Sequence, residues 1–90
     1  MMMPIALLLA ALPPQQDAGQ HMLDRMSMSM SEHVAPCGVK VVFRVKPGGM
    51  VKDSQGVIEK AATPEQIACV KGMVSWLITW DEARKAGIVR

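Results

Sequence analysis

Gly38-Val39-Lys40-Val41-Val42-Phe43-Arg44-Val45-Lys46-Pro47-Gly48-Gly49-Met50-Val51 is the stretch that decides the fold of this 90-residue chain. From Val39 the residues alternate. Val39, Val41, Phe43 and Val45 share one face, and Lys40, Val42, Arg44 and Lys46 share the other, which is the period of a half-buried β-strand. Pro47, Gly48 and Gly49 then supply a fixed φ followed by two residues that tolerate positive φ, the chemistry of a chain reversal. A hairpin is expected, with a return strand from Met50 to about Lys60 and Gly56 placed where a bulge shifts the register by one residue.

Downstream, Thr63-Pro64-Glu65-Gln66 spells a helix start. Thr63 caps, Pro64 takes the first helical position, Glu65 faces the positive end of the dipole, and Gln66 closes a capping box. Ile67, Val70, Val74, Leu77 and Ile78 recur at helical spacing, so this helix is expected to lay an apolar stripe over the Val/Phe face of the hairpin. Two endings stay open. Gly87 terminates a long helix, or the β-branched and aromatic run Trp76-Leu77-Ile78-Thr79-Trp80 leaves the helix as an edge strand; a helix to about Ser75 followed by an extended segment is the favoured reading.

Upstream, the run Pro4 to Leu12 is uncharged and shorter than the ~18–20 apolar residues that cross a bilayer, which suits the apolar core of a signal peptide. Pro13 to Gln20 read as a polar, turn-prone linker. Between linker and hairpin, Met22, Leu23, Met26 and Met30 fall on one helical face, whereas Met26, Met28 and Met30 share one face of a strand. Periodicity does not decide between them. The expected organisation is a signal peptide over 1–18, a Met-rich arm or short helix over 19–36, and a small α+β domain over 37–90, built as an antiparallel hairpin covered by one capped helix.

Half of the residues are hydrophobic and 20% charged, too apolar for a wholly disordered chain and too interrupted for a protein of several membrane spans. No transmembrane span is expected in the mature chain. Aromatics make up 3%, which leaves no row of stacking platforms for bases, so nucleic acid is not an expected partner. The net charge of +2 is uneven: residues 37 to 90 carry nine basic and five acidic side chains.

The two cysteines, Cys37 and Cys69, are expected to pair as a disulfide, because small exported domains use one where the core is modest. That places the chain in the periplasm or outside the cell. The alternative is two buried thiols in a cytoplasmic protein. No catalytic set assembles: His21 and His33 lie in the Met-rich segment without a matching nucleophile, and Cys37-Gly38 lacks a neighbouring base. The chain is therefore read as non-enzymatic. Lys40, Arg44, Lys46 and Lys52 form a basic strip on the outward hairpin face, a candidate surface for an acidic partner. The thioethers of Met22, Met26, Met28 and Met30, with His21 and His33 beside them, are soft ligands suited to Cu(I), and give the alternative reading of a small periplasmic copper-binding protein. In the leading reading there is no cofactor.

The strand Gly38 to Val45 with its Gly turn, Cys69-Val70 in the following helix and Trp80 beyond it together resemble the C-terminal domain of TonB-like proteins, in particular the AgmX/PglI-type modules, over about residues 38 to 80. Trp80 is followed by Asp81-Glu82 where that family has an aromatic-proline strand. The resemblance implies a periplasmic protein-interaction module that binds another envelope protein by adding a strand at an exposed sheet edge.

Overall fold

The computed structural model describes residues 14–90, with side chains from Gly19 onward. The expected signal-peptide run Pro4 to Leu12 lies outside the described residues. The architecture is α+β: helix α1 (Pro14–His33), strand β1 (Val41–Arg44), strand β2 (Gln55–Ile58), helix α2 (Pro64–Met73) and helix α3 (Trp80–Lys85). No helix among the described residues is long and apolar enough to cross a membrane.

The alternation read from Val39 onward holds. Val39, Val41 and Phe43 are buried while Lys40 and Arg44 are exposed. β1 pairs antiparallel with β2 in the register Val41↔Ile58, Val42↔Val57, Phe43↔Gly56 and Arg44↔Gln55. The turn closes where expected, with the Gly49 N–H donating to the Lys46 carbonyl at 2.8 Å. The return strand is shorter than expected, because Val51–Asp53 forms a 3-10 turn before pairing resumes at Gln55. No bulge interrupts the described pairing at Gly56. The residue sits in register opposite Phe43, and a Cβ there would stand 2.4 Å from Leu77 Cδ2. Glycine at 56 lets the 76–77 segment pack directly onto the strand.

α2 starts at the expected cap. The Thr63 N–H donates to Gln66 Oε1 at 2.8 Å, and the Gln66 N–H donates to Thr63 Oγ1 at 3.2 Å. It ends two residues before Ser75, where Val74 turns extended (φ −137°, ψ 91°). The extended segment then touches β2 through one parallel bridge, Val57↔Ile78, with the Ile58 N–H donating to the Ile78 carbonyl at 2.8 Å. A strand or extended segment was expected here, with the run Trp76 to Trp80 as its candidate. The chain instead turns helical at Trp80, because Thr79 and Glu82 form a second capping box with hydrogen bonds of 3.0 and 3.1 Å. α3 stops at Gly87, whose φ of 76° suits the paired bonds Gly87 N–H to Arg84 carbonyl and Ile88 N–H to Ala83 carbonyl. α3 packs on β2 and covers part of the sheet face that the alternation assigned to solvent; Val57 and Ala83 are both fully buried.

One core joins α1, the two strands, α2 and the segment after it: Val34, Val39, Val41, Phe43, Ile58, Val70, Val74 and Leu77, with Leu23, Met26, Met30 and Ile67 packed against it. Cys37, in a 3-10 turn, and Cys69, in α2, are bonded with their Cα atoms 5.7 Å apart. On the surface, Lys71 Nζ meets Glu82 Oε1 at 2.9 Å and ties α2 to α3.

Candidate functional site

α1 is helical through the Met-Ser repeat, so period 3.6 wins over period two. The helix also takes in Pro14 to Gln20 of the stretch Pro13 to Gln20 read as a linker, and crosses the expected boundary at residue 18. The reason for the repeat lies in β1. Its ladder with β2 leaves the N–H groups of Val41 and Phe43 pointing to the opposite edge, where they donate to Ser31 Oγ and Ser27 Oγ, both at 3.0 Å. Ser27 and Ser31 are one helical turn apart and match the two-residue spacing of the strand donors. Met26 and Met30, beside them on the helix, pack against the core.

The other edge is also occupied. Ile58 donates to the Ile78 carbonyl, and the Ile78 N–H donates to the Gly56 carbonyl at 3.2 Å. Gln55 Nε2 adds a bond of 3.1 Å to the Trp76 carbonyl. Among the described residues, β1 is therefore edged by serine hydroxyls and β2 by the 76–78 segment, which leaves no two-stranded edge for simple strand addition.

An open groove of about 650 Å³ lies between α1 and the Trp76 segment. Met22, Met26, Met30, Phe43 and Trp76 supply its apolar lining, and His21 and Arg25 stand among its polar groups. Met22 is 53% and Trp76 52% exposed. The Trp76 ring is set against Phe43, with centroids 6.1 Å apart at 54°. A second cavity of about 420 Å³, lined by Met30, His33, Met73, Val74 and Trp76, adjoins the first and shares Ser29, Met30 and Trp76 with it.

The residues singled out from sequence are only partly brought together. His21, Met22, Met26 and Met30 line the first groove and His33 the second, whereas Met28, 65% exposed, faces a separate groove with Gln20, Asp24 and Arg44. Among the described residues no group of three or more His, Cys, Asp or Glu gathers. Lys40 and Arg44 share the expected strand face, but Lys46 follows the end of β1 and Lys52 sits in the 3-10 turn, so the four cations are spread over a strand and its connection. The Lys40 N–H is bonded to the Glu59 carboxylate, and Arg44 also borders a small groove with Pro47 and Trp80. Sequence reading missed Trp76 and Met73 as groove residues. Only their placement across the sheet from α1 reveals them; the local signal is the pairing of bulky residues 76 and 77 with a strand glycine, which no short window contains.

No protein-family model, curated protein or solved structure matches the chain.

Proposed function

We propose that the chain is a non-enzymatic, exported protein-interaction module that receives a segment of another envelope protein in the groove between α1 and Trp76. The observation that carries this reading is the exposure of Met22 and Trp76, each about half open to solvent along one apolar groove. Contiguous exposed apolar surface of this kind marks interaction sites. Methionine suits it further, because its unbranched thioether adapts to partners of different shape. Arg25 puts a fixed positive charge at the groove, so the occupant is an amphipathic segment with apolar side chains and an acidic residue beside them. The periplasmic or secreted location is supported by the Cys37–Cys69 bond and by the apolar run Pro4 to Leu12. The TonB-like resemblance supports the same general role, with the docking surface moved from the sheet edge to the groove because both edges of the β1–β2 sheet are occupied.

Selection of a random peptide library on the folded protein tests this reading. Apolar-acidic peptides should be enriched, and Met22→Lys and Trp76→Ala should each abolish their binding while Met28→Lys leaves it intact. Enriched peptides that bind all three variants equally, or no enrichment, would contradict it.

A further inference from the structure

We propose that Met30, His33 and Met73 form a binding site for a soft monovalent cation of the Cu(I) class, with Trp76 lining the same cavity. It concerns the second cavity, about 420 Å³, whose lining includes all three donors; that cavity shares Met30 and Trp76 with the docking groove, but the assignment does not rest on the docking reading. They come from two elements: Met30 and His33 stand three residues apart on α1, and Met73 is the last residue of α2. The disulfide brackets them. Cys37 follows His33 by four residues and Cys69 precedes Met73 by four, so the covalent link holds the two donor segments side by side. Met73 Sδ lies 3.4 Å from Cys37 Sγ, so the thioether packs against the disulfide sulfur.

The donor chemistry selects the ion. Two thioethers and an imidazole are soft to borderline ligands, suited to Cu(I) and poor for Mg²⁺ or Ca²⁺. Both cysteines are consumed in the disulfide, so thiolates do not compete for the metal. Charge separates this cavity from its neighbour. Among the described residues, its lining contains no Lys, Arg, Asp or Glu, whereas Arg25 borders the first groove and opposes a cation there. The proposed set is narrower than the one read from sequence: Met28 is on another surface, His21, Met22 and Met26 line the groove that Arg25 borders and not this cavity, Met30 lines both, and Met73 enters.

Titration of the disulfide-intact chain with Ag(I), a redox-inert probe of the same softness, in chloride-free buffer tests the site by calorimetry and tryptophan fluorescence. One equivalent should bind saturably and change the tryptophan emission, since Trp76, unlike Trp80, lines the cavity. Met73→Leu and His33→Gln should each weaken binding by about tenfold or more, while Met28→Leu should match the unaltered protein. Methionine-to-leucine exchange nearly conserves volume, and circular dichroism confirms that each variant is folded. Absence of saturable binding, or equal affinity in Met73→Leu and the unaltered protein, would overturn the assignment. So would an equal loss in Met28→Leu and Met73→Leu, which would indicate indiscriminate binding by exposed methionines. Because calorimetry needs no partner protein, the outcome is separate from that of the peptide selection.

Discussion

Gly56 and Gly72 show how the environment of a single residue sets the sign of a substitution. A methyl at Gly56 would meet Leu77 at 2.4 Å and Trp76 at 3.0 Å, whereas a methyl at Gly72 in α2 meets nothing within 4 Å. Gly56→Ala should therefore lower stability by about 1–3 kcal/mol, and Gly72→Ala should raise it by about 0.4–1 kcal/mol. Urea unfolding of the two variants checks the pair. Gly56 was legible in the sequence as a special strand position, but not the kind: a bulge and a close approach both call for glycine, and only the position of Leu77 separates them. At Glu82, the hydrogen bond from Lys71 first, and then those with Thr79, hold the carboxyl at about 2, below its ordinary 4.5. The folded value lies below the unfolded one, so this stabilisation is complete above about pH 4.5 and disappears as pH falls toward 2. Side chains on both sides are near half exposed, with 40% for Lys71 and 48% for Glu82, and screening keeps the effect under about 1 kcal/mol. Glu82→Gln should flatten that part of the acid-stability curve.

Each element carries the trace of what it leans on. β1 and the start of α2 were readable because alternation and a capping box are local signals, confined to windows of a few residues. α3 carried the same signal in Thr79-Trp80-Asp81-Glu82, but it was masked by the β-branched and aromatic run before it, which favours an extended chain. The Met-Ser segment was ambiguous because residues 26, 28 and 30 satisfy period two while 22, 26 and 30 satisfy the helical period. What resolves it is long-range, since Ser27 and Ser31 meet the free donors of β1. Ser27→Ala and Ser31→Ala each leave a strand N–H without its partner and should cost about 1–3 kcal/mol, while Ser29→Ala, between them on the groove side, should change stability by less than about 0.5 kcal/mol. Thermal unfolding of the three variants side by side separates a docked helix from a loosely attached one.

The whole molecule is a small sheet enclosed on both edges and fastened by one covalent link. The link was legible from two cysteines in a short, apolar-led chain; the groove was not, because it is built from α1, β1 and residue 76, which are distant in sequence. Cys37 and Cys69 are 32 residues apart, so their bond restricts the unfolded chain by ~3.7 kcal/mol on the loop-entropy scale. The Cys37→Ala, Cys69→Ala double variant should lose about that much in denaturant unfolding. α1 closes the edge of β1 through Ser27 and Ser31, and the proposed docking at the groove instead of the strand depends on that closure. Native-state hydrogen exchange read amide by amide tests it most directly, because Val41 and Phe43 donate to α1 while Val57 pairs within the sheet. Val41 and Phe43 should be protected to the same level as Val57, and Ser27→Ala and Ser31→Ala should lower protection at Phe43 and Val41 respectively. Fast exchange at Val41 and Phe43 with Val57 still protected would contradict it, showing a helix that leaves the edge and a strand open to pairing.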